Sequence, residues 1–431
     1  VNARKQLLLL HTPSTSSVQP ISASITYMNT STTNNLGADG MTWAQAKPGL
    51  FIVDAYGNYI MYVQEYSTGH TFVFSNDGGI TWQDNTGNTN NAQNAPTEAF
   101  LTRGTMAYDS INDVIWVLSA TLGEGILIRR FTFNRDVDSN ISAINRTYGT
   151  GAIIDATASV GFPWIVWTNT GNQGTLIVSW RSDTSILAGF IDLGSDYTRV
   201  NTLSNWEALD GGTAFTTVAA STADGLAVSY KTSGAHSQSL WFCFPMITGA
   251  FWKWCRYDYS AGTWSVSQAA TNLTTLDNGN GGYNLKYQLP TSFVFIGDSA
   301  FIGVPLWKDS TDGDTWRAVK IADDDSVSVV DAYSAGGTHS YAPTGDIYAT
   351  TNKVIVAYIK TGAGSEYYYV KIYDTSLVQI GDEELIFDSA PVDIPLLVYD
   401  TGGTILTAFR DSVNTPTPPY HGWFGTITGL I

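Results

Sequence analysis

Four sets of side chains in this sequence carry enough chemistry to suggest a site. The first is the stretch SNDGGITW, which gathers Ser75, Asp77, Thr81 and Trp82 around the pair Gly78 and Gly79. A hydroxyl beside a carboxylate is the raw material of a nucleophile with its base, and a neighbouring indole offers a flat face to a sugar ring. The second set is the carboxylates Glu65, Glu98, Glu124 and Glu207. Any of them, paired with an Asp, would supply the two carboxyl groups that glycosidic-bond hydrolysis needs at a defined separation. Chain spacing does not set that separation, and solvated loop carboxylates are the plainer reading. Arg103, Arg181 and Arg410, near the ends of apolar segments, form the third set and offer forked donors to an anion. The fourth is aromatic: Trp206, Trp307, Tyr420 and Trp423 would stack on pyranose rings if exposed or fill gaps between packed elements if buried.

Metal and redox chemistry are thinly represented. His11, His70, His236, His339 and His421 stand alone, with no H-E-x-x-H and no His/Cys zinc spacing. Asp323, Asp324 and Asp325, and separately Asp309, Asp312 and Asp314, offer oxygen ligands without the full spacing of a calcium loop. Calcium is therefore the one ion with candidate ligands, and no metal or other cofactor is expected. No G-x-S-x-G or Walker pattern occurs. Cys243 and Cys255 flank a Pro-Met-Ile-Thr-Gly turn, so a hairpin would set the sulfurs opposite one another as a disulfide, or leave two buried thiols.

The elements that must position these residues are strands. Apolar segments are short, rich in Val, Ile, Trp, Tyr, Phe and Thr, and broken by Gly, Asn, Asp or Pro, which excludes a helical protein. FIVDAYGNYIMYV, MAYDSINDVIWVL, DIYATTNKVIVAYI and LLVYDTGGTILTAF each read as strand, polar turn, strand. GILIRRFTF, GTLIVSWRS and SEYYYVKIYD read as third strands. About seven such units recur at roughly 50 to 65 residues, a period that suits the four-stranded antiparallel blades of a β-propeller. The expectation is an all-β single propeller of six or seven blades, seven preferred, over residues 46–431. Residues 1–45 lack the unit and are expected to form a polar arm, a ring-closing strand or a contact with a second copy of the chain. An initial Val in place of Met suggests a processed terminus or a literally read GTG codon, and both stay open.

With 431 residues, 43% of them hydrophobic, the chain can bury a large core. Its 21 Lys and Arg against 38 Asp and Glu give a net charge of −17, which argues against a nucleic-acid partner and an anionic membrane. The run Leu7 to Leu10 is far shorter than the roughly 20 residues that cross a bilayer.

The pattern S-x-D-G-G-x-T-W closely resembles the Asp-box, the repeated hairpin of sialidases and related propellers. Its local logic is an Asp accepting backbone N–H groups, Gly supplying positive φ, and Trp covering the turn. Ser310 to Trp316 is a degenerate copy through Asp312, Gly313, Thr315 and Trp316, and Ser260 to Trp264 keeps only its ends. In that family the box lies on an outer hairpin, away from substrate, so the resemblance implies a sialidase-like fold and a structural role for these residues. Sialidases also resemble one another in an Arg-Ile-Pro motif that supplies one of three substrate-clamping arginines. Here Ala46 stands at the Arg position of Ala46-Lys47-Pro48-Gly49-Leu50, and Val63-Gln64-Glu65-Tyr66 replaces a second Arg. Lys47 lacks the planar fork that grips a carboxylate.

The expected function is a surface-displayed propeller that binds a glycan or a neighbouring structural protein. The Thr/Ser/Asn-rich, Lys-poor composition resembles phage virion and tail-associated proteins, which implies an extracellular or virion location. The alternative is a glycoside hydrolase or polysaccharide lyase of the sialidase-like class acting on a glycan without sialic acid.

Overall fold

Seven antiparallel sheets follow one another along the chain, six of four strands and one of five. The computed structural model describes residues 21–30, 51–65, 69–85, 103–121, 125–156, 160–169, 174–194, 196–212, 214–220, 222, 225–246, 251–275, 291–306, 315–334, 345–362, 365–388, 392–400, 404–411 and 421–429, and the statements below concern these. Blades one to six span 51–84, 103–155, 160–219, 227–275, 294–334 and 345–387. Blade seven joins three strands within 392–428 to Ser22–Tyr27, which pairs with His421–Thr428 as the outermost strand. First strands of successive blades adjoin, as Arg103–Asp109 does Val160–Thr168 and Gly345–Ala349 does Val392–Asp400. The result is a seven-bladed β-propeller, with no helix long and apolar enough to cross a membrane among the described residues.

Turn chemistry sets the meander. Asp54 accepts the N–H groups of Tyr56 and Asn58 at 2.9 and 2.8 Å, with Gly57 at φ +85° closing the turn. Asp109 repeats the arrangement in blade two, and Asp136, Asp324 and Asp374 do so between the third and outer strands of blades two, five and six.

The blades bury both faces, so their middle strands read as unbroken apolar runs. Every residue of Ser239–Pro245 in blade four is buried. Wedges between blades are filled by rings, such as Trp241 stacked on Trp254 at 5.1 Å. At the innermost edge, polar side chains supply acceptors to the next blade. Thr105 takes the N–H of Ile165 at 3.1 Å, Ser229 that of Phe293 at 2.9 Å, and Asp346 that of Leu397 at 2.6 Å.

Three readings of the sequence are corrected. Cys243 lies opposite Trp254 and Cys255 opposite Phe242, so alternation along the strands puts the two sulfurs on opposite faces of the sheet. Both are free, buried thiols, and burial raises their pKa values. Thr175–Ser182 is the second strand of blade three, not a third. The stretch 310–316, expected to repeat the turn at 75–82, falls between the second and third strands of blade five, whereas 75–82 falls between the third and outer strands of blade one. Asp312 and Gly313 lie outside the described residues; Thr315 and Trp316 open a strand, and Trp316 is buried in the wedge between blades five and six.

Candidate functional site

In the turn from Ser75 to Trp82, the Ser75, Asp77 and Thr81 side chains bond to one another and to the backbone of the turn. The buried Ser75 hydroxyl donates to Asp77 at 2.8 Å and accepts the N–H of Gly79 at 2.8 Å. Asp77 also accepts the Thr81 N–H at 2.8 Å and its hydroxyl at 2.6 Å. Partial desolvation pushes the Asp77 carboxyl up, but the bonds from Thr81 and Ser75 outweigh it and leave the pKa below its ordinary 3.8. The Ser75 hydroxyl is fully buried and engaged as both donor and acceptor, so it is not presented to a ligand as a nucleophile. Gly78 and Gly79 take φ of +71° and +88°, and Trp82 meets Phe424 of blade seven edge-on at 5.1 Å.

The arrangement that can meet a ligand lies elsewhere, in a groove of about 400 Å³ between blades five and six. Its construction follows from strand periodicity. In the hairpin of Lys353–Gly362 and Ser365–Asp374, Tyr358 stands directly opposite Tyr369. Lys360 and Lys371 are each two residues further on, so all four side chains share the face turned to blade five. From blade five, Tyr333 stacks on Tyr358 at 5.4 Å and 14°, and Tyr358 in turn lies at 6.3 Å and 18° from Tyr369. Below this ladder the wedge is apolar, with Trp316, Val354, Val356 and Tyr373. Above it the lysines and Glu383 take over.

Glu383 enters from the third-to-outer turn of blade six. It accepts the Tyr358 hydroxyl and, at 2.9 Å, the Lys360 ammonium, while Lys371 stands 3.6 Å away. Lys371 donates to the Ala332 carbonyl at 2.5 Å, and Asp331 on the same rim is held by Arg317 at 2.6 Å. Burial pushes Glu383 up, but hydrogen bonds from Tyr358 and Lys360 and the charges of both lysines hold it below its ordinary 4.5. Burial, followed by the bond to and charge of Glu383, raises Tyr358, and the hydrogen bond to Glu383 raises Lys360. Carboxylate, phenol and ammonium thus keep their forms around neutrality. The cluster can bind, but none of these three offers the near-neutral switching that general acid–base catalysis uses.

A second charged cluster joins blades four and five. His236, at φ +55°, stands 3.7 Å from Asp258 and 3.6 Å from Asp323, and Arg256 bonds Asp325 at 2.8 Å. Lys231, beside them, is fully buried; desolvation lowers its pKa against the charges of Asp298 and Asp323. Asp324 is engaged by the Ser326 hydroxyl at 2.6 Å. Among the described residues no group of three or more His, Cys, Asp or Glu is placed to hold a metal ion. Asp309, Asp312 and Asp314 lie outside them.

The residues singled out from the sequence are not brought together. Trp206 is 2% exposed and donates to the Val200 carbonyl at 3.2 Å, so its ring has no open face. Trp423 is packed against Tyr27, Phe387 and Phe409. Glu207 is exposed on the outer edge of blade three, opposite Phe190, away from the innermost strands. Arg181 lies part-buried on the second strand of that blade. The side chains of Arg103, Arg410 and Glu65 are not described, and Trp307, Tyr420, Glu98, Glu124 and the Ala46–Leu50 frame lie outside the described residues. Sequence reasoning missed Tyr358, Lys360, Tyr369 and Lys371, although a short hairpin turn already implied their register.

No protein-family model matches the sequence, and no curated relative matches it. Among solved structures, the chain is similar to an ulvan lyase of a polysaccharide lyase family, with a TM-score of 0.55, 10% identity, and coverage of 92% of this chain and 94% of that one. It is also similar to the leech intramolecular trans-sialidase, with a TM-score of 0.45, 12% identity, and coverage of 96% and 71%. A third is the Aleuria aurantia lectin, with a TM-score of 0.42, 9% identity, and coverage of 82% and 99%. At these identities the likeness is one of fold.

Proposed function

We propose that this chain is a glycan-binding propeller displayed outside the cell or on a virion surface, with the groove between blades five and six as a ligand site. One observation carries the reading: Tyr333, two ammonium groups and a carboxylate line a groove of about 400 Å³, a size that suits a sugar unit. The charged donors and acceptors on the rim would fix hydroxyl orientation, and Tyr333 supplies an aromatic edge to the groove. We read the Ser75–Trp82 turn as an Asp-box hairpin on the strength of its hydrogen bonds, which makes it scaffold and not site. The low-Lys, Thr/Ser/Asn-rich composition supports the virion assignment, and residues 1–20 are proposed as a contact with a second copy or a neighbouring structural protein.

The test is a glycan array on the intact chain, run beside hydrolysis and lyase assays on polysaccharides that bind. Binding without turnover is the expected result. Turnover of a polysaccharide, abolished by one carboxylate substitution, would move the chain to the glycosidase or lyase class. Binding to no glycan would remove the reading.

A further inference from the structure

We infer that the groove between blades five and six takes an anionic sugar, holding a carboxylate or sulfate substituent against Lys360 and Lys371. This rests on the glycan-binding reading and narrows it. The whole chain carries −17, which taken alone favours a neutral ligand. The groove departs from that average. Two ammonium groups share the single carboxylate of Glu383, and Asp331, the other acid on the rim, is already paired with Arg317 at 2.6 Å. One positive charge is left in surplus. Charges beyond about 8 Å are largely screened at physiological salt, so this local surplus outweighs the distant excess of acids.

Donor capacity points the same way. An ammonium has three N–H donors, and Lys360 spends one on Glu383 while its side chain stays 42% exposed. Its Nζ lies 5.0 Å from the Tyr369 ring centroid, so the ring steadies the ammonium in a cation–π contact while its remaining donors stay open to an oxyanion. Lys371 is more buried, is braced by the Ala332 carbonyl, and lies 5.5 Å from the Tyr358 ring centroid. Lys360 is therefore the mobile arm and Lys371 the fixed one. Glu383 shares the lysines without neutralising both, and keeps the ammonium groups oriented before a ligand arrives.

The experiment is a binding titration of the intact chain with matched oligosaccharides, one set uronate-bearing, one sulfated and one neutral, with sodium sulfate as a separate arm. The inference expects the acidic sets to bind, to weaken as salt is raised, and to lose about tenfold in affinity in Lys360→Gln, which corresponds to about 1.4 kcal/mol. Lys360→Arg keeps the charge and should restore most of that loss, which a purely structural role would not predict. The uronate and sulfate sets separate the two sources of the oxyanion. Equal binding of neutral and acidic sets, or acidic binding untouched by Lys360→Gln, overturns the inference and leaves glycan binding standing. Sulfate bound with no oligosaccharide bound overturns the glycan reading and with it the inference. Silence from every probe does the same.

Discussion

Gly79 is held by two constraints at once. Its φ of +88° is one that L-residues rarely adopt, and a Cβ added there would run into the Phe424 ring of blade seven. Gly79→Ala is expected to cost about 2 to 5 kcal/mol in chemical denaturation, from left-handed backbone strain plus overpacking. Gly78→Ala, in open space at a similar φ, should cost only the backbone part. Equal losses at the two positions would remove Phe424 from the account. Glu383 gives a pH prediction. Because its folded pKa lies below the ordinary 4.5, the carboxylate's contribution to stability is complete above about pH 4.5 and is lost as pH falls through the lowered value. The melting-temperature gap between wild type and Glu383→Gln should be flat above that pH and shrink below it. A gap that widens in acid would mean that the carboxylate does not stabilise the groove.

At the scale of elements, edges decide what survives. Blade one has an outer strand of only two residues, Gln83–Asp84, whereas the outer strand of blade two, Ile141–Asp155, is long and pairs along one side only, with Gly125–Arg135. Two asparagines stand in for the missing backbone. Asn76 donates to the Ile141 carbonyl and accepts its N–H, both at 2.9 Å, and Asn85 does the same at Ile144, at 2.8 and 2.9 Å. An amide side chain reproduces the donor–acceptor pair of a peptide, and so covers an edge that would otherwise invite intermolecular pairing. Asn85→Ala removes both side-chain bonds to the Ile144 backbone and should cost about 1 to 3 kcal/mol, with increased aggregation on heating. A variant with wild-type stability and solubility would show that water satisfies these groups instead. The same edges explain what the sequence made legible. First and second strands are apolar and joined by Asp- or Gly-bearing turns, so seven units could be counted. Outer strands such as Gln83–Asp84, Glu207–Ala208 and Glu384–Phe387 are short and half-exposed, with no alternation to find. The groove was half legible. Tyr358 opposite Tyr369 follows from a short hairpin, whereas Tyr333 arrives from another blade and Glu383 from a turn, and no period connects them.

The whole molecule is a ring whose seventh blade is assembled from both ends of the described chain. Ser22 pairs with Thr428 and Tyr27 with Trp423, and the Ser22 and Thr428 hydroxyls meet at 2.8 Å. Phe424 then stacks on Phe51 at 6.1 Å and packs on Tyr59 at 5.8 Å, which ties blade seven to blade one. Deleting residues 1–30 is expected to lower the melting temperature sharply and to broaden the transition, since it removes the outermost strand and the buried Met28 together. An unchanged transition would show that three strands suffice for that blade. Antiparallel pairing leaves residues 428 and 22 side by side, so a short linker between them would complete a turn like those of the other blades. A chain so relinked and reopened at 389–391, between blades six and seven, should keep its fold.

That seam also sets a clock. Partners 406 positions apart cannot meet until nearly all of the chain has left the ribosome, so early blades must wait with an open end while the loop-closure entropy of the ring is still unpaid. The relinked chain, in which the seventh blade becomes a local meander, is expected to refold faster than the natural order at similar stability. Synthesis on the ribosome, and not the finished ring, is then the stage at which this protein is most exposed to misassembly.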